Sequence, residues 1–358
     1  MICRLGPGLL AVWTVPGDES HEINLDGWEH ALSAALDETG RLLALTLGAR
    51  VTPGGVYADQ QLVLIDLVTG GRRVLHDGWA QGPVWLPGSQ RLAFSNGTTI
   101  CVVNTSDGST QELFCFSKAP VAPTEISIRP DGEGLAFLKW VGDDKRIGVV
   151  DLGSGRGRVL PVSCYSYSWW DDNTILYVLG SGLKLLDIAT GKSTSLLRDL
   201  KPFVKTGALD ALGEGWAEAV GAEGSIQDVG ATLCAGDRVY FGAFAARPVT
   251  RRSIIPFLRR TTYDGLRGVL SMARDRSDLR LHLDQKPSAI VAINGNQTLA
   301  VHVSRRGEQG WLESNWVFVG EGAEKIPSDF GPLPRASSAV RGDLVVGAFP
   351  RQRPEGTD

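Results

Sequence analysis

The sequence predicts an all-β chain of tandem four-stranded antiparallel sheets, and three observations carry that prediction. A strand–turn–strand figure returns along the chain. A second hairpin, with Asp and Gly in its turn, follows each copy. Turn formers are abundant, with 44 Gly and 18 Pro in 358 residues. The first figure spans Ala35 to Leu45 about Gly40, Val84 to Phe94 about Gly88, Ile126 to Phe137 about Gly132, and Tyr167 to Tyr177 about Asn173. The second is clearest in Leu64-Ile65-Asp66 to Gly70, Val149-Val150-Asp151 to Gly155, and Leu185-Leu186-Asp187 to Gly191. Val102-Val103-Asn104 to Gly108 is a looser copy. The Asp carboxylate can accept bonds from turn amides, and the Gly supplies the positive φ that closes the turn.

Two hairpins in every 40–50 residues or so make one four-stranded sheet, and a tandem series of such sheets is a propeller. Weaker first turns near Gly236, Gly295 and Gly342 bring the number to seven, with further second turns near Gly265, Gly320 and Gly17. The expected fold is therefore a seven-bladed β-propeller of four-stranded antiparallel blades in one domain. Its blades are expected at 30–76, 79–116, 122–161, 164–198, 225–273, 286–327, and 335–349 plus 8–26, with an insertion at 198–224 and a tail at 350–358. The hairpin Ala339 to Phe349 has no partner downstream, and the strands Leu9 to Val15 and His21 to Leu25 have none upstream. Pairing them closes the ring and removes two sheet edges.

Pro83-Val84-Trp85-Leu86-Pro87-Gly88 with Leu92-Ala93-Phe94, and Arg129-Pro130-Asp131-Gly132 with Leu135-Ala136-Phe137, resemble the WD40-like repeat of TolB-type β-propellers. The resemblance covers about residues 30–198. It implies the fold and leaves the activity open, because such blades serve as adaptors, protease accessory domains and enzymes alike.

Composition excludes several classes. With 43% apolar and 21% charged residues the chain is not disordered, and a net charge of −4 argues against a generally basic nucleic-acid binder. No 18-residue uncharged apolar run exists, so no membrane insertion by a spanning segment is expected. Cys3, Cys101, Cys115, Cys164 and Cys234 lack the spacing of a disulfide framework or a zinc site, and flanks such as Ile100 and Val102 or Phe114 and Phe116 suit small buried hydrophobes. Leu9 to Trp13 faintly resembles a signal peptide. Pro7 and Gly8 interrupt it and no cleavage site follows, so a cytoplasmic location is expected.

Two stretches break the repeat. Arg198 to Gly224 carries Ala208-Leu209-Asp210-Ala211-Leu212 and Trp216 to Val220, but Gly213 and Gly215 oppose a continuous helix, and a long surface connection is expected. Arg247 to Arg280 holds nine Arg against three Asp, a net +6 in a chain whose remaining residues sum to −10. Arg247, Arg251, Arg252, Arg259 and Arg260 are the candidate partner-binding residues, flanking an apolar run, Ile254 to Leu258, that reads as a strand. Ordinary solvated strand ends that pair with the acidic remainder are the plainer expectation. Guanidinium groups also pair with carboxylate or phosphate in a fork, so the other is a reader of an acidic protein surface or a phosphorylated ligand, with nucleic acid the less expected partner.

Catalytic signatures are sparse. Gly191-Lys192-Ser193-Thr194 lacks the first glycine of a phosphate loop, and Gly153-Ser154-Gly155 precedes no helix. His21, His30, His76, His282 and His302 are mutually distant, and Asp143-Asp144 and Asp171-Asp172 are turn neighbours rather than opposed carboxylates. Trp169, Trp170, Trp311 and Trp316 are expected to pack between blades. No catalytic residue, metal or cofactor is therefore assigned. The expected function is a non-catalytic scaffold for protein interaction or ligand binding. The competing reading is a propeller hydrolase or lyase whose residues converge at the central channel.

Overall fold

Alternating turn chemistry folds the chain into antiparallel meanders. The computed structural model describes residues 2–6, 9–13, 20–25, 28, 30–51, 57–115, 124–180, 182–198, 200, 203, 209, 212, 216, 220–221, 228–252, 259–283, 287–293, 298–306, 312–320, 340–341 and 344–348. They fall into two units: Met1–Ser163 with Val291–Ala300 and Arg305–Asp358, and Cys164–Ile290 with Val301–Ser304.

The first unit begins with β1 (Ile2–Gly6), β2 (Leu9–Trp13) and β3 (Ser20–Asn24). Three four-stranded meanders follow: β4 (His30–Leu36), β5 (Leu42–Val51), β6 (Tyr57–Asp66) and β7 (Arg72–Asp77); β8 (Gln81–Trp85), β9 (Arg91–Ser95), β10 (Thr99–Asn104) and β11 (Thr110–Cys115); and β12 (Thr124–Ile128), β13 (Gly134–Val141), β14 (Asp144–Asp151) and β15 (Gly157–Ser163). The second unit holds two more: β16 (Tyr167–Trp169), β17 (Thr174–Leu179), β18 (Gly182–Asp187) and β19 (Ser193–Leu197); and β20 (Asp228–Ala235), β21 (Arg238–Arg252), β22 (Arg259–Ala273) and β23 (Leu279–Leu283). A three-stranded sheet contains β24 (Pro287–Ile293), β25 (Thr298–Arg306) and β26 (Leu312–Gly320). The last strands, β27 (Val340–Arg341) and β28 (Leu344–Ala348), join the first sheet in the order β27-β28-β1-β2-β3.

That sheet joins the two ends of the chain, in a different register from the one expected. The strand beside the C-terminal hairpin is β1, parallel to β28 with Ile2 opposite Val346 and Arg4 opposite Ala348, while Leu9–Trp13 lies one place further out. Ile2-Cys3-Arg4 supplies an extra strand, so the sheet has five strands instead of four.

Tight turns sit where the sequence places them. Gly40, Gly88 and Gly132 have φ of 73°, 58° and 78°, and Gly70, Gly108, Gly155 and Gly191 lie between 66° and 77°. Asp66 Oδ1 accepts from Val68 N at 2.9 Å, Asp151 Oδ1 from Ser154 N at 2.8 Å, and Asp187 Oδ1 from Thr190 N at 2.7 Å. One further bond recurs in all five four-stranded sheets. The residue after the third strand donates its amide to the first hairpin's turn: Leu67 to Arg41 O, Thr105 to Gln90 O, Leu152 to Glu133 O, Ile188 to Asn173 O and Arg274 to Asp237 O, at 2.7–3.0 Å. Gly265 departs from the expected pattern, for it lies inside β22 opposite Ala246, and the turn into β23 is at Arg274 to Asp278. The turns expected at Gly295, Gly342 and Gly17, and the strand expected at Ile254 to Leu258, lie outside the described residues.

The middle strands are apolar on both faces because sheets pack on either side of them. Leu43 and Leu45 of β5 join Ile23 and Leu25, whereas Ala44 joins Trp85, Leu92 and Phe94 of the next sheet. Ala93 in turn packs with Leu135 and Phe137. This is the two-residue period of a strand read on both faces. Polar bonds also fix the neighbouring first strands: Trp85 Nε1 donates to Ala35 O at 3.1 Å and Gly82 N to Ser33 Oγ at 3.2 Å. In the second unit Thr232 N donates to Ser166 Oγ at 3.2 Å and Cys234 N to Ser168 Oγ at 3.0 Å.

Arg198 to Gly224 is not simply the surface connection expected. Leu200, Phe203, Leu209, Leu212, Trp216 and Val220 are buried in the second unit's core with Val239, Phe241 and Leu270. Phe203, Trp216 and Val220 have helical backbone. Burial of the apolar positions outweighs the glycine penalty, about 1 kcal/mol per residue. Cys115 also departs from expectation: it is exposed, while Cys101 and Cys164 are buried.

Two outcomes follow. Trp216→Ala should lower the unfolding free energy by about 3–5 kcal/mol in urea titration, as for a large side chain removed from a core, whereas a surface residue would change it little. Removing residues 336–358 strips β27 and β28 from β1, and should lower the calorimetric melting temperature; an unchanged cooperative melt would show that the β1–β28 ladder contributes nothing.

Candidate functional site

Each four-stranded meander has two ends. The first and third turns, tied by the recurring amide bond, lie at one end. The middle turn, between the second and third strands, and the crossover to the next sheet lie at the other, where lengths vary most. The tight end is fixed by backbone geometry, so variation collects opposite it.

The largest excursion at the variable end is made by β21 and β22, fifteen residues each and paired throughout, from Arg238 opposite Ala273 to Arg252 opposite Arg259. β20 pairs with β21 only as far as Phe244, and β23 with β22 only from Val269. Beyond that, Ala245 to Arg252 and Arg259 to Leu266 pair with each other, and no other strand pairs with them among the described residues. Eight residues of strand make a ribbon roughly 25 Å long.

The register sorts the candidate arginines. Arg247 lies opposite Asp264, whereas Arg251 lies opposite Arg260 and Arg252 opposite Arg259. Positions 251 and 260 share one face of the ribbon and 252 and 259 the other, because strand faces alternate every residue. The four positions are divided between the two faces of the ribbon's end.

Other arginines of the segment are engaged within the sheet or with the preceding one. Arg267 sits over the Phe244 ring at 5.4 Å, and Arg274 over the Trp170 ring at 4.8 Å while donating from Nη1 to Trp170 O at 2.8 Å. Arg280 Nε reaches Asp278 Oδ2 at 2.8 Å, where Arg238 Nη1 also binds at 2.8 Å. Arg238 in particular holds the Asp278 carboxyl below the usual carboxylate range.

A serine–imidazole pair in this sheet has no local mark in the sequence. Ser271 Oγ lies 2.7 Å from His282 Nε2 and accepts from Arg238 Nε at 3.0 Å. With that donor on its oxygen, the Ser271 hydroxyl can give its own proton to Nε2, the arrangement of a neutral imidazole carrying its proton on Nδ1. A serine paired with an imidazole is the wiring of an acyl-transfer nucleophile, but Ser271 is 0% exposed, so no substrate reaches it. The pair is a structural strut. Burial, followed by the charges of Arg238 and Arg280, pushes the His282 pKa down against the opposing effect of Asp278.

A second cluster, in the first unit, was equally invisible in sequence. Glu125 has a left-handed backbone, φ 54°, at the bulge of β12. Its carboxyl lies 3.6 Å from Lys145 Nζ, which sits over the exposed Trp140 ring at 5.4 Å. Desolvation raises the Glu125 pKa against the opposing effect of Lys145, and half of its side chain meets solvent. Burial pushes the Cys101 thiol up to about 11 and the Cys234 thiol to about 12, so neither is a thiolate at neutral pH. Among the described residues, no three His, Cys, Asp or Glu gather as metal ligands.

Solved structures share this architecture. The tricorn protease aligns over 93% of this chain and 34% of its own, at 11% identity and a TM-score of 0.52. A chain of the mitotic checkpoint complex aligns over 88% and 86%, at 11% identity and 0.51. The fold is a β-propeller repeat fold. TolB from Acinetobacter baumannii aligns with this propeller chain over 89% and 78%, at 13% identity and a TM-score of 0.41. No family model matches the propeller, and no curated protein matches its sequence. No helix among its described residues is long and apolar enough to cross a membrane.

The half-buried imidazole gives a pH dependence whose sign is fixed. The unfolded chain protonates His282 near pH 6.5 and the folded chain only at lower pH, so stability is full above about 6.5 and falls as pH drops below it. His282→Gln, which keeps an acceptor for Ser271, should flatten the part of the urea-midpoint profile that falls between about pH 7 and pH 5. An unaltered profile would place the titration elsewhere.

Proposed function

We propose that this propeller is a non-catalytic scaffold that binds another protein, with Arg247, Arg251, Arg252, Arg259 and Arg260 of the β21–β22 ribbon contacting an acidic surface of the partner. The observation that carries the reading is the in-register pairing of four arginines at the end of a two-stranded ribbon. Like charges placed directly opposite destabilise a ladder, by up to about 1 kcal/mol per pair, and a fold keeps them where a counter-anion relieves the repulsion. A chain that is otherwise −10 outside this segment gives an acidic partner one direction of approach.

The same reading takes the ring as seven blades at the boundaries given above, closed through the β1–β28 ladder, which supports it by hydrogen-bonding the two ends of the chain. It places the chain in the cytoplasm, on a cysteine set whose described members, Cys101, Cys115, Cys164 and Cys234, are free thiols.

A quadruple Arg251→Ser, Arg252→Ser, Arg259→Ser, Arg260→Ser variant tests it. Partners captured by the wild type, identified by mass spectrometry and released by salt, should be lost from the variant at an unchanged melting temperature. Equal capture by both proteins would make the ribbon ordinary solvated surface.

A further inference from the structure

Among the described residues, two that are not glycine have positive φ, and different settings hold them there. Arg276, φ 66°, sits in the turn between β22 and β23, where its amide donates to Ala273 O. Glu125, φ 54°, lies inside β12, at the bulge between the pairs Thr124–Leu138 and Ser127–Ala136. A left-handed bulge residue is ordinarily glycine, which adopts that backbone without a steric penalty. Strained side chains of this kind gather at ligand clamps, so the Glu125 carboxyl is the place to look for a ligand.

Its neighbours complete a site. Lys145 lies directly opposite Trp140 in the β13–β14 ladder, so the two share a face of the sheet. Lys145 Nζ is 3.6 Å from Glu125 Oε1 and 5.4 Å from the centre of the Trp140 ring. Three adjacent strands thus bring together an acceptor, a donor and an indole. All three reach solvent: 49% of the Glu125 side chain, 28% of the Lys145 side chain and 37% of Trp140 are exposed. The bulge and the hairpin tip carry Glu125, Asp143 and Asp144 against Lys139, Lys145 and Arg146, so no net charge draws an ion here.

We propose that this corner of the first unit binds a neutral carbohydrate, with the apolar face of a sugar ring on Trp140 and its hydroxyls shared between Glu125 and Lys145. A hydroxyl both donates and accepts, so adjacent ring hydroxyls can donate to the carboxylate and accept from the ammonium at once. A charged ligand is attracted by one half of the ion pair and repelled by the other. Hydroxyls exchange their bonds with water at little net gain, and the indole supplies the apolar contact they lack. Desolvation, which raises the Glu125 pKa, marks a carboxyl partly withdrawn from water, where its hydrogen bonds are stronger. The site belongs to the first unit and the arginine ribbon to the second, so neither reading rests on the other.

Saturation-transfer NMR of the full chain with lactose, cellobiose, maltose and diacetylchitobiose tests this. Transfer to the ring protons of at least one sugar is expected. Trp140→Ala should weaken binding at least about tenfold at an unchanged melting temperature, and Lys145→Met about tenfold. Glu125→Gly separates ligand from fold. Glycine fits the left-handed backbone, so this variant should melt no lower than the wild type while binding at least about tenfold more weakly.

Absence of transfer to all four sugars overturns the proposal, and so does full binding by Trp140→Ala or Glu125→Gly. A melting temperature lowered by Glu125→Gly overturns it as well, because the carboxyl then serves the fold. Tighter binding of a glucose phosphate than of glucose would make Lys145 an anion site and overturn the neutral-sugar assignment.

Discussion

One backbone hydrogen bond organises each of the five four-stranded sheets. The amide after the third strand donates to the carbonyl of the first turn, between Leu67 and Arg41 in the first meander and between Arg274 and Asp237 in the last. It ties the two tight turns of a sheet to each other, and glycines of positive φ together with Asp side chains fill in the rest. An aligned backbone bond of this kind contributes about 1 kcal/mol, yet its repetition matters more than its strength. It sets the same end of every sheet, and so leaves the opposite end free to differ in length and charge.

That constraint explains which parts of the molecule could be read from the sequence. Turn chemistry is local: Asp66, Asp151 and Asp187 bond amides two or three residues away, and a Gly with positive φ needs no tertiary partner, so residues 30–198 reveal their meanders. Where pairing is long-range the sequence is silent. The fifteen-residue strands β21 and β22 contain Gly265 without a turn, because nothing local marks which of their residues pair. Ile2-Cys3-Arg4 lies between β2 on one side and the distant β28 on the other. Leu209, Leu212 and Trp216 flank glycines that argue locally against a helix, while the core they fill comes from β21 and β22.

The candidate site divides in the same way. The excess of arginine was plain in composition, but its division into consumed and paired groups was not. Arg274 is spent on Trp170 and Arg280 on Asp278, while Arg251 and Arg252 meet Arg260 and Arg259 through a register no local signal fixes. Ser271 with His282, and Glu125 with Lys145, are products of adjacency across strands, and the left-handed backbone of Glu125 leaves no mark on the residue type. Strained backbone at a non-glycine position persists only where the surroundings over-determine it, here a bulge at the start of a first strand.

The parallel ladder between β1 and β28 also orders events in time. Ile2 leaves the ribosome before the five four-stranded meanders, and its partner Val346 is made only after all of them have been translated. Local hairpins form in microseconds and can fold as they emerge, but the first sheet must wait with an open edge until those meanders are complete. A nascent chain is therefore open to mispairing at the β1 edge, and translational pausing before Val346 would prolong that exposure.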